Sequence, residues 1–219
     1  MPIVTIAREY GAGGTTIGRL VADRLGATFV DRWIIEEVAR RADMDPSLVE
    51  SADEQPTRLL DRVIASFAQV PAAGFGWEPP YPEVASDPRP RIVQLTRAVL
   101  EELAATGNAV IVGRGAAAIL REHPNATHAY LYADPAIRVQ AIREREVIAL
   151  ETARRRIREA DANRAAYLRQ VHGADWRNPL LYTLMLNTGV LGTERAAELV
   201  LAAALRGKPA DTAIREEPR

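Results

Sequence analysis

Residues Ile3-Val-Thr-Ile-Ala-Arg8 form a short apolar run that passes into Glu9-Tyr10-Gly11-Ala12-Gly13-Gly14-Thr15-Thr16. A helical apolar stripe follows through Ile17, Leu20, Val21 and Leu25. A strand that turns this tightly into an amphipathic helix commits the chain to layered α/β packing, since each element has one face to bury against the other. The glycines relax the backbone enough for the turn. They also gather N–H groups at a helix N-terminus, where partial positive charge favours an anion. These residues alone leave two readings open: a tight turn and nothing more, or a phosphate cradle made of Gly11, Ala12, Gly13, Gly14, Thr15 and Thr16.

The phosphate-loop pattern G-x-x-x-x-G-K-[ST] tests the second reading. Gly13 fits its second glycine and Thr15 its metal-binding hydroxyl. Gly14 stands where lysine belongs, and Arg8 replaces the first glycine. A dinucleotide fingerprint fits worse: G-x-G-x-x-G would need glycine at Thr16, and Asp31 comes too early for the acidic residue that closes such a unit.

Composition narrows the chemistry. The 219 residues suit one domain with a proper core. A net charge of −1 speaks against nucleic acid or an anionic membrane as the main partner. With no cysteine, disulfides, thiol nucleophiles and zinc–thiolate sites are excluded. Among the 28 Lys and Arg residues only Lys208 is a lysine, and it sits beside Pro209 in a polar tail. Any phosphate must therefore be met by arginine, whose planar fork suits bidentate contacts. The chain enters a strand at once, without a signal-peptide pattern, and no apolar run approaches the ~20 residues of a membrane span. A cytoplasmic protein is expected.

Strand-like runs recur at 3–6, 27–30, 109–112, 127–132 and 184–187, with helical periodicity between them. Val93, Val99 and Leu103 mark one helix face; Ile137, Val139, Ile142 and Val147 mark another. Short buried strands alternating with helices imply a parallel sheet covered on both sides. In such sheets ligands sit beyond the C-terminal strand ends, where Arg8, Asp31, Gly113-Arg114 and Asn187-Thr188 fall. The second connection is long, with helices expected near 33–43 and 56–69. Six prolines between 71 and 90 then impose an irregular loop carrying Phe75, Trp77 and Tyr81. That loop packs down, caps a base or makes a homodimer contact. From Gly207 onward a disordered tail is expected.

Ile6-Ala-Arg-Glu-Tyr-Gly-Ala-Gly-Gly14, Phe29-Val-Asp-Arg32, Val110-Ile-Val-Gly-Arg-Gly-Ala116, Asp161 with Arg164 and Tyr167, and Asp175-Trp-Arg-Asn-Pro179 with Leu186-Asn-Thr188 occur in order along the chain. Together they resemble the cytidylate kinase-like family. The resemblance implies a three-layer P-loop kinase fold in one domain over residues 1–206. Its five-stranded parallel sheet would be flanked by helices, with a helical acceptor insert near 32–90 and a lid near 144–165. It also implies ATP as donor, Mg²⁺ at Thr15, and acceptor contacts from Asp31, Gly113, Arg114, Arg158 and Asp161, with Arg164 as a lid arginine. Three departures stand against activity: Gly14 in place of the lysine, Gly115 in place of the Asp of Gly-Arg-Asp, and Val112 in place of the acid expected on the third strand.

Phosphoryl transfer asks mainly for positioning and charge neutralisation. Arg8, at the mouth of the loop, either replaces the missing lysine or forms a structural ion pair with Glu9 or a neighbouring helix. Arg114 directly follows a buried strand, so it needs a carboxylate or a ligand. Arg154, Arg155, Arg156 and Arg158 read mainly as a solvated face paired with Glu151 and Glu159. His123, His128 and His172 have no metal spacing and read as structural. Three functions remain: ATP-dependent phosphorylation of a nucleoside monophosphate with CMP as the first candidate, phosphorylation of another small acceptor, and a nucleotide-binding pseudo-kinase.

Overall fold

The computed structural model describes residues 1–54 and 88–206. In chain order these form β1 (Ile3–Arg8), α1 (Gly14–Leu25), β2 (Thr28–Val30), α2 (Trp33–Ala42), α3 (Pro46–Glu54), α4 (Arg89–Thr106), β3 (Ala109–Val112), α5 (Ala116–Ile119), β4 (Ala126–Tyr132), α6 (Pro135–Glu146), α7 (Leu150–His172), a 3-10 turn (Pro179–Leu181), β5 (Leu184–Asn187) and α8 (Thr188–Arg206). The helix expected near 56–69, the aromatic loop and the tail lie outside the described residues.

All five strands are parallel, in the order β2-β3-β1-β4-β5. β1 is central, with Ile3 level with Ala109 on one side and Ala126 on the other. Helices cover both faces, as the near-continuous apolar runs require: Ile3, Val4 and Ile6 are all essentially buried. One core gathers α1 and α8 against the sheet through Ile17, Val21, Ala197 and Val200. The other gathers α2 and α4 through Ile34, Val38, Val99 and Leu100. Burying an aliphatic side chain such as Val21 contributes about 1.5–3 kcal/mol, so the start of α1 is held firmly beneath the loop. Among the described residues no helix is long and apolar enough to cross a membrane.

One expected face is corrected. In α6 the buried positions are Arg138 and Ile142, while Ile137 is 47% and Val147 89% exposed. Apolar side chains were a poor guide there because a buried arginine holds the inward stripe.

Candidate active site

The loop leaves β1 and enters α1 through Gly13, which has φ of +77° and supplies no side-chain cap. The first amides of α1 have no intrahelical acceptor, so Gly14, Thr15 and Thr16 begin the helix with N–H groups suited to an anion. The amide of Ala12 is used otherwise: it donates to the Glu9 carbonyl at 3.2 Å, and Ala12 itself is buried. Ala12 is thus a structural corner of the loop. Its carbonyl accepts from the Thr188 hydroxyl at 3.0 Å, so the turn after β5 tethers the loop.

In front of the loop lies a cleft of about 220 Å³, whose lining includes Arg8, Gly13, Gly14, Thr15, Asp31 and Arg114. Arg164 from α7 and Arg145 from α6 also reach it. The strand ends therefore converge as their sequence positions imply. The Thr15 hydroxyl donates to Asp31 Oδ2 at 3.2 Å on the open side of the cleft. Among the described residues no group of three or more metal-ligating side chains gathers. Mg²⁺ does not require one: it keeps several waters and takes one or two carboxylates together with substrate phosphates. The Thr15–Asp31 pair fits that demand.

Arg8 does not pair with Glu9. Its side chain crosses Gly14, and its guanidinium rests against Gly113. Glu9 turns the other way, to Arg138 at 3.3 Å and Arg177 at 3.0 Å. Arg114 is in the left-handed region with φ of +59°, between Gly113 at +84° and Gly115 at +67°. For an arginine this conformation costs about 1–2 kcal/mol. It sets the side chain at the point where the main cleft meets two further cavities. One of these, about 80 Å³, is lined by Arg8, Arg114 and Arg164 together with Tyr167, Trp176 and Tyr182. At position 115 φ is +67° and a Cβ would come 2.5 Å from His172 Nε2, so a side chain there would strain the backbone and displace that ring. Val112 is fully buried in the sheet and offers the cleft nothing.

Arg164 lies half-buried along the loop, donating to the Arg8 carbonyl at 3.2 Å with its guanidinium 5.4 Å from the Tyr10 ring centre. Of the two α7 residues expected at the acceptor, Asp161 is engaged by the loop and by Arg138, and Arg158 stands at the surface. Both oxygens of Asp161 are taken up behind the loop, by the Tyr10 amide at 2.8 Å and Arg138 at 2.6 Å. Arg158 is exposed on α7, and Thr16 is exposed on α1.

Tyr10 and Arg138 are the residues that sequence reasoning missed. The Tyr10 hydroxyl donates to Glu146 at 2.6 Å and accepts from Arg145 at 2.8 Å. Burial would raise the Glu146 carboxyl, but hydrogen bonds from Tyr10, Arg145 and Arg156 outweigh it and hold the group at about 2. Burial raises the Tyr10 hydroxyl, and its bond to Glu146 raises it further. Arg138 is only 5% exposed and donates to the carbonyls of Ala133 and Tyr10. Its signal was helical spacing: it falls one turn before the buried Ile142.

A model of the cytidylate kinase-like family matches residues 3–190. The chain belongs to that family. A cytidylate kinase from Pyrobaculum neutrophilum is 27% identical over 203 residues, covering 92% of this chain and 91% of the relative. The crystal structure of an uncharacterized protein from Eubacterium ventriosum shares the fold, with a TM-score of 0.66 at 19% identity over 92% of this chain and 97% of the other. Family membership gives the chain a nucleotide-kinase-like character, and the five-stranded parallel sheet is that of a P-loop kinase.

Proposed function

We propose that the protein is a phosphotransferase that moves the γ-phosphoryl group of ATP to a nucleoside monophosphate, with CMP the first acceptor to test. The observation carrying this reading is the convergence of Arg8, Arg114 and Arg164 on the cleft in front of the glycine-rich loop. An oxygen of the acceptor phosphate forms the new bond to the γ-phosphorus, the bond to the β–γ bridging oxygen breaks, and ADP leaves. Such a transfer needs in-line placement and neutralised charge more than covalent help. The amides of Gly13, Gly14 and Thr15 would cradle the donor phosphates. Arg114 would meet the acceptor phosphate, and Arg164 the transferring group. Thr15 and Asp31 would hold Mg²⁺, which supplies charge neutralisation when bound. In this reading α2, α3 and the start of α4 belong to the acceptor insert, and the end of α6 with the first part of α7, near 144–165, forms the lid. A cytoplasmic location and a homodimer through the segment around Trp77 belong to the same reading, and sedimentation tests the dimer.

The deciding experiment is product analysis with labelled ATP across nucleoside monophosphates and other small acceptors, in the wild type and Arg114→Ala. A labelled product that depends on Arg114 supports the reading. No product from any acceptor favours the second reading, a nucleotide-binding pseudo-kinase, for which the buried Val112 and the missing carboxylate at Gly115 speak. A product from an acceptor other than a nucleotide supports a kinase for another small acceptor and removes the pseudo-kinase reading.

A further inference from the structure

In the phosphate-loop pattern the first position is glycine and the seventh is lysine, whereas this chain has Arg8 and Gly14. Glycine and cation have exchanged places, and the backbone geometry makes the exchange a single unit. A Cβ on Gly14 would lie 2.6 Å from Arg8 Cγ, 3.0 Å from its Cβ and 3.2 Å from its Cδ. These atoms are the root of the side chain, which cannot step aside without leaving its rotamer. Further along, the guanidinium lies on Gly113, where a Cβ would collide with Nη1 and come within 3.1 Å of Cζ. Two glycines on separate elements thus form the track for one arginine, and Arg8 lines the cleft together with Gly14 and Arg114.

We propose that Arg8 is the phosphate-binding cation of the donor site, seated by Gly14 and Gly113, and that position 14 accepts no side chain while Arg8 is present. This deepens the phosphotransferase reading and rests on it. The lysine of the ordinary pattern delivers one ammonium from the first turn of the helix. Arg8 reaches the same cleft from the strand end and offers a planar fork, which can contact two phosphate oxygens at once. The loss of the lysine is then a relocation of charge.

A double-mutant cycle tests it, read by calorimetric titration of Mg²⁺ with a non-hydrolysable ATP analogue into the wild type, Arg8→Ala, Gly14→Ala and the double variant. Each single change should weaken binding about tenfold or more, the worth of a charge-assisted contact. The double variant should bind no more weakly than the poorer single one, because both changes act through one guanidinium. Arg8→Lys should recover part of the loss. Should Gly14→Ala fold poorly, melting of the double variant above Gly14→Ala reports the same clash and supports the coupling. The proposal falls if Gly14→Ala binds like the wild type, if the two losses multiply, or if Gly14→Lys alone tightens binding. No binding by the wild type removes the phosphotransferase reading itself, whereas wild-type binding with a silent Gly14→Ala removes only the coupling.

Discussion

The glycine-rich loop has two sides, and arginine serves both in opposite ways. Behind it, Arg138 is buried between Glu9 and Asp161, with Arg177 closing on Glu9. Every oxygen of the two carboxylates meets a cation or a backbone amide there. In front of it, Arg8, Arg114 and Arg164 line an open cleft. A buried, saturated ion network fixes geometry, since nothing can be moved without stranding a charge. Arginines beside an open cleft place their charge where an anion can enter. The same residue type is therefore scaffold or binding group according to what encloses it.

The comparison breaks most visibly at Arg138. Replacing it with methionine leaves Asp161 without its cation and Glu9 with Arg177 alone, and should cost about 3–5 kcal/mol of folding stability. Chemical denaturation measures this, and a loss under about 1 kcal/mol would deny the network its structural role. Arg114→Ala, on the front side, should do the reverse. Acceptor phosphorylation falls by well over tenfold, about 1.4 kcal/mol or more of transition-state stabilisation, while the fold survives, since alanine keeps the Cβ and with it the same left-handed backbone cost. Unchanged turnover would take Arg114 out of the chemistry.

A finer contrast lies at Glu146, which ties the loop to the α6–α7 turn through Tyr10. Its carboxyl is lowered from 4.5 to about 2 in the folded chain. The unfolded chain therefore takes up the proton first, so this group's stabilisation is complete above the unfolded value and is lost as pH falls toward the folded one. The melting-temperature gap between the wild type and Glu146→Gln should narrow from about pH 7 to about pH 3. A constant gap would show that the carboxylate charge contributes nothing. The smallest effect is expected at Arg155, exposed and 3.9 Å from Glu159. Arg155→Ala should change stability by less than about 0.5 kcal/mol, and a larger loss in the same denaturation assay would give the α7 surface more than a solvated role.

Much of the fold was legible because its signals are local. Strand lengths, their apolar continuity and the glycine turn follow from side-chain burial and backbone freedom, so β1 to β5 appear within a residue or two of where periodicity puts them. The convergence of Arg8, Asp31 and Arg114 followed from parallel topology alone, since their strands end at one edge. The partners of those residues were not legible. That Arg8 would turn to Gly113 and Glu9 to Arg138 depends on contacts between distant segments. The face of α6 was misjudged for the same reason: hydropathy cannot show that Glu9 and Asp161 will be waiting for Arg138.

By itself, then, the sequence determined the layered architecture, the loop, and the reliance on arginine for side-chain positive charge at any phosphate, because these depend on residue type and spacing. Only the tertiary structure decided which arginines face the cleft and which is buried between Glu9 and Asp161. That choice turns on burial and on which carboxylates lie within about 4 Å, where an ion pair is strong, and no local pattern encodes either.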